Sequence, residues 1–77
     1  MAMGELQLLT KSGNIEHKLT WNQENGEKLL LAKKLFEQYR KKGLLPIGEA
    51  HGGGWKHIFT FDPDLKRIIF MPLMAGG

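Results

Sequence analysis

The chain has no cysteine. No disulfide can staple it, and it cannot itself carry a thioester, a redox thiol or a thiolate metal site. It has no apolar run long enough to cross a bilayer. It also lacks a basic segment followed by an apolar stretch, the pattern of a secretory signal. A cytoplasmic location, with no membrane partner, is the expectation that follows. Its single serine, Ser12, sits in a stretch that reads as a hairpin turn, so the G-x-S-x-G elbow of a serine hydrolase is missing. Strong charge of one sign is missing as well. Eleven Lys and Arg against eight Asp and Glu leave a formal charge of +3 and a pI near 9.4. That balance permits an acidic partner surface and does not by itself argue for nucleic acid. There are no repeats, no long linker and no low-complexity tract.

What is present fits one small folded domain. Seventy-seven residues bury a limited share of their surface, and the stability margin is correspondingly narrow. Met3 is read as the natural first residue, so Met1 and Ala2 are left out of the fold reading. "ELQLLTKSGNIEHKLTW" alternates as a hairpin, with Gly13 and Asn14 suited to the turn. Ile15, His17, Leu19 and Trp21 are expected on one side of its second strand. "NQENGEKLLLAKKLFEQYRKKG" is the helix. Asn22 or Asn25 caps it, Glu24 and Glu27 suit its positive end, and Arg40, Lys41 and Lys42 suit its negative end. Gly43 is placed for a left-handed stop. Leu29, Leu31, Ala32, Leu35, Phe36 and Tyr39 form the apolar stripe, and Leu30 lies opposite it. A short extended piece is expected around Leu45 to Ile47, then a glycine-rich loop, a strand from about Lys56 to Phe61, a turn at "DPDLK", and a last strand "RIIFMP".

The order is therefore β-β-α-β-β. One helix must cover one face of a four-stranded mixed sheet. The expected packing is a β-grasp, with the first and last strands side by side and the last strand central. The expected organisation is a domain over residues 3–72 followed by a flexible diglycine tail over 73–77.

Several constellations have plainer readings. "HGGGWKH", His51 to His57, could form an oxyanion hole or hold a phosphate. It lacks the nucleophile, the G-K-[ST] ending and the helix those roles need, and a strand connection explains it better. His17, His51 and His57 show no metal-ligand spacing, so no metal site is expected. Asp62 and Asp64 flank Pro63 as turn residues do. Lys33, Lys34, Arg40, Lys41 and Lys42, with Trp55 and Lys56, could meet phosphates, but a solvated helix face accounts for the cluster.

The chain's end differs in kind. "IIFMPLMAGG" closes on Gly76 and Gly77, which cost backbone entropy and add no packing. This ending resembles the ubiquitin-like β-grasp carriers with a C-terminal Gly-Gly. It looks most like the small subunit of molybdopterin synthase and the thiamine-biosynthesis sulfur carrier. Length and element order agree, and a divergent prokaryotic ubiquitin-like protein fits the same pattern. The resemblance implies a carrier or modifier, not an enzyme, with no catalytic residue and no cofactor of its own. Gly77 would supply the reactive carboxylate, and Gly76 would permit passage through a narrow partner channel. Met71, Pro72, Leu73, Met74 and Ala75 would form the partner-binding tail. The implied partners are an E1-like adenylating enzyme, which binds the ATP, and then a sulfur-accepting enzyme or a target lysine. The glycine-rich loop, Trp21 and Trp55 are not part of the family pattern, and two further features depart from it. "DPDLKRI" stands where the carriers have a "DGDEV"-like turn, and the neutral "MPLMAGG" is unlike ubiquitin's arginine-rich end. Sulfur transfer and conjugation thus stay equally open. A second reading also stays open: a small non-enzymatic binding module that contacts nucleic acid or an acidic protein through the basic helix end and the glycine-rich loop.

Overall fold

The computed structural model describes residues 3–72. It is an α+β domain with one helix and a five-stranded mixed sheet. Strands β1 (Met3–Leu9) and β2 (Ile15–Asn22) form an antiparallel hairpin. Its turn closes through Thr10 N donating to Asn14 O at 2.8 Å and Gly13 N to Thr10 O at 2.9 Å. Gly13 has φ +88°, a conformation open to glycine at no steric cost. Helix α1 (Gly26–Lys41) follows, then β3 (Leu45–Glu49), β4 (Trp55–His57) and β5 (Arg67–Met71). The spatial order is β2-β1-β5-β3-β4. Strand β5 is central, parallel to β1 and antiparallel to β3. The expected adjacency of first and last strands is therefore present.

The strand count is not as expected. The extended piece near Leu45 is a full strand that pairs with both β5 and β4, giving five strands rather than four. Pro46 is no obstacle to this, although it lacks a donor. Strand β4 is also shorter than the expected Lys56–Phe61. It stops at His57, after which Ile58 turns into the core.

The helix ends are made locally. Asn25, not Asn22, is the N-cap, and its side chain accepts from Lys28 N at 3.2 Å. At the other end Gly43 takes φ +86°. Gly43 N then reaches Arg40 O at 3.0 Å and Leu44 N reaches Tyr39 O at 3.1 Å. These two bonds make a Schellman stop and satisfy carbonyls that the last turn would otherwise leave bare.

The helix covers one face of the sheet. Ala32, Phe36 and Tyr39 pack on Leu6, Trp21, Ile68 and Phe70, all of them buried. Leu35 and Leu29 flank them, half-buried. Leu31, expected in the stripe, is 50% exposed. It lies about 100° around the helix from Ala32, too far to reach a sheet that Ala32, Phe36 and Tyr39 already meet. Aromatic rings meet edge to face in a chain, Trp21–Phe61–Phe36–Phe70–Tyr39, with centroid separations from 5.1 to 6.1 Å.

Trp21 is buried only because its cross-strand partner is Gly4. A Cβ at Gly4 would lie 2.0 Å from the indole. The indole N–H donates to Pro63 O at 3.2 Å, and Gln23 Nε2 donates to the same carbonyl. The Asp62–Leu65 turn is thereby pinned to the end of β2. Within it Asp64 N donates to the Asp62 carboxylate at 2.9 Å, so these acids serve the turn.

The register of β1 and β2 slips once. Leu8 pairs with His17 but Leu9 pairs with Ile15, leaving Glu16 as the extra residue. A one-residue slip moves a side chain to the other face. Ile15 therefore leaves the side it was expected to share with Trp21 and is 52% exposed.

Candidate functional site

The other face of the sheet has no layer over it among the described residues. Strand register arranges its side chains in rows. The first row runs Thr20, Glu5, Arg67, Glu49 and Trp55 across all five strands. The second runs Lys18, Gln7, Ile69, Ile47 and His57. In the third, Leu9 pairs with Ile15 and Met71 with Leu45. The face thus passes from charged, through mixed, to apolar along the direction of β5.

The charged end is held by its own pairs. Lys18 Nζ lies 3.0 Å from Glu5 Oε1, and Gln7 Nε2 donates to the same oxygen at 3.1 Å. Chiefly through Lys18, and against some burial, the Glu5 carboxyl is held below its ordinary pKa. Arg67 Nη1 stands 3.5 Å from Glu49 Oε1. This contact is ionic rather than a hydrogen bond. Glu49 Oε1 and Arg67 Nε are buried without a hydrogen-bond partner among the described residues.

The apolar end is where β5 leaves the sheet. Met71, expected in the tail, is the last residue of the strand, half-buried opposite Leu45. Pro72 follows, also half-buried. Met71 and Pro72 share a shallow cleft of about 230 Å³ with Leu9, Thr10, Lys11 and Gly13 of the first hairpin. Leu73, Met74, Ala75, Gly76 and Gly77 lie outside the described residues, and with them the reactive end proposed from the sequence.

The glycine-rich segment is the turn of the β3–β4 hairpin. Ala50 N donates to Gly54 O at 3.1 Å and Gly53 N to Ala50 O at 3.0 Å. Gly53 and Gly54 have φ of +92° and +94°, which explains glycine there without a ligand. This turn follows Glu49, whereas the helix end leads into Leu45. The basic helix end and the glycine-rich turn are thus at opposite ends of β3, and the structure does not bring them together. The histidines are also apart. His17 is on β2, with Nδ1 3.2 Å from the Tyr39 hydroxyl, while His51 is in the turn and His57 on β4. Among the described residues no group of three or more His, Asp or Glu could hold a metal, and no helix is long and apolar enough to cross a membrane.

The graded open face was missed from the sequence. Its signal was present in the odd positions of β5, Arg67, Ile69 and Met71. Reading it required knowing that β5 lies between β1 and β3, so that the three rows extend across the sheet. No family model, no curated protein and no solved structure matches this chain.

Proposed function

We propose that the chain is a ubiquitin-like carrier or modifier of β-grasp type. Its terminal glycine carboxylate is adenylated by an E1-like enzyme, for sulfur transfer or for protein conjugation. The observation that carries this reading is the path of β5. The strand is fixed on both sides by β1 and β3, and it delivers Pro72 at the apolar end of an uncovered sheet face. A partner that lays its surface over Leu45, Ile47, Ile69 and Met71 would lie beside Pro72, the last described residue before Gly76 and Gly77. Apolar ground of this kind is what the buried centre of an interface uses. The one-helix, five-strand arrangement with parallel neighbours β1 and β5 supports the β-grasp reading.

The chemistry asks little of this chain. A terminal carboxylate oxygen attacks the α-phosphorus of ATP, and pyrophosphate leaves with the electrons of the broken P–O bond. The acyl adenylate carbon then accepts a sulfur nucleophile or a lysine amine, and AMP departs. The chain contributes the carboxylate, a Gly76–Gly77 end without side chains, and a rigid strand to aim it.

The test is pyrophosphate release by an E1-like enzyme given ATP and this protein. Removing Gly77 draws the carboxylate back by about 3.5 Å and should abolish release, and Gly77→Ala should reduce it. Intact mass of the protein from its native cell should show sulfur in place of one terminal oxygen, or an isopeptide through Gly77. A native protein with neither, whose cellular role survives loss of Gly77, would overturn the reading.

A further inference from the structure

A second surface lies on the helix side of the sheet. Between α1 and the segment after β4 runs a groove of about 700 Å³, within the range of ligand-binding clefts. Its apolar surface comes from Phe36, Phe59 and Phe61. Phe36 belongs to the core, but Phe59 is 70% exposed, the most exposed of the large apolar side chains among the described residues. Lys33, Arg40 and Lys41 stand around these rings, against the single carboxylate of Glu37. None of the three cations makes an ion pair among the described residues. Arg40 is nevertheless positioned. Its Nη1 donates to Phe59 O and its guanidinium carbon lies 5.9 Å from the centre of the Phe59 ring. One of its five N–H donors is thereby engaged and the others remain for a ligand.

The groove wall has a further property. Strand β4 is the edge of the sheet, and residues 58–61 continue from it. Ile58 N reaches Pro46 O at 3.4 Å, but the amides of Phe59, Thr60 and Phe61 donate to no acceptor among the described residues. This segment bends at Phe59 and Thr60 and is not a strand edge, but a peptide laid in the groove could still offer its carbonyls to these backbone donors. A fatty chain would leave those donors unused.

We propose that this groove docks an acidic peptide segment of a partner protein, one that carries a bulky apolar side chain beside its carboxylates. The apolar side chain occupies the space over Phe36, Phe59 and Phe61. The carboxylates meet Arg40, Lys33 and Lys41, with Arg40 able to donate two N–H bonds to one carboxylate. This site is independent of the diglycine end, and its success or failure leaves the carrier reading where it stands.

The test is a titration of the full 15N-labelled chain with an acetylated hexapeptide alternating glutamate with phenylalanine and leucine, followed by amide shifts. Saturable shifts should cluster on Lys33 to Lys41 and Phe59 to Phe61. Arg40→Glu with Lys41→Glu should weaken binding at least tenfold. Phe59→Ser should weaken it about as much; Phe59 is exposed, and unchanged melting of both variants separates lost binding from lost folding. Removing Gly76 and Gly77 should change nothing. Three results would each overturn the proposal. One is no saturation at millimolar peptide. Another is equal binding by a peptide whose phenylalanine and leucine are replaced by alanine. The third is a single-stranded oligonucleotide that occupies the same residues more tightly than the peptide.

Discussion

The two faces of one strand, β5, behave as two different environments. Ile68 and Phe70 point toward the helix and are fully buried, whereas Arg67, Ile69 and Met71 point to the open face and are each half-buried. Alternation of side chains makes this contrast inevitable in any strand. What differs is the use made of each side. On the helix side, ring edges interlock and even the glycines are committed. Gly4 lies under Trp21, and a Cβ at Gly48 would come within 2.6 Å of Leu65. On the open side, the strands contribute rows that grade from ion pairs to apolar side chains, with no layer above them among the described residues. The covered face holds the domain together, and the open face leaves Arg67, Ile69 and Met71 half-buried.

The sharpest way to break this comparison is to truncate neighbours on β5. Phe70 touches both Phe36 and Tyr39 edge to face. Phe70→Ala should cost about 3–5 kcal/mol, a large share of a small domain's stability. Ile69→Ala, one residue earlier and on the open face, should cost less than half as much. Urea midpoints at a constant slope would measure both. Equal losses would mean that the open face is packed as tightly as the core.

A smaller effect separates the charged end of the open face from the rest. The Glu5 carboxyl is held below its ordinary pKa, first by the Lys18 contact and also by Gln7. The folded state therefore favours the ionised form. That contribution is complete above the unfolded glutamate pKa, about 4.3, and is lost as pH falls through the lower folded value. Stability of the parent should decline over that acid window more than stability of Glu5→Gln does. Parallel acid profiles for the two proteins would place the coupling elsewhere.

Much of the covered face was legible in the sequence, because it follows short-range rules. Asn25 and Gly43 are a cap and a stop wherever a helix of this length sits. Ala32, Phe36 and Tyr39 share a stripe by helical period alone. The parts that were not legible depend on long-range contact. Leu31 belongs to the apolar pattern, but a sheet already met by Ala32, Phe36 and Tyr39 does not reach it. Leu45 to Ile47 read only as a short extended piece, and Pro46 and Gly48 are poor strand formers. Residues 45–49 form a strand because β5 on one side and β4 on the other supply its partners. Gly4 gave no signal either, since its reason is an indole seventeen positions away. Phe59 was assigned to a strand, which concealed the groove beside the helix. The terminal Gly-Gly is a different case: the proposed function rests on it, and it lies outside the described residues.

Ile15 offers the smallest expected effect and a direct measure of the register. Simple alternation from Trp21 back through Leu19 and His17 puts Ile15 on the helix side, where an apolar residue would be worth burying. The slip at Glu16 instead pairs Ile15 with Leu9 and leaves it 52% exposed. Threonine keeps the β-branch that suits a strand and removes much of the apolar surface. If the slip is as described, Ile15→Thr should change stability by no more than about 0.5 kcal/mol, as surface substitutions do. Leu19→Thr, on the helix side and packed against the core, serves as the control and should cost clearly more. A destabilisation by Ile15→Thr that matches the Leu19 variant would mean that β2 keeps its alternation through Glu16, and that Ile15 is part of the covered face after all.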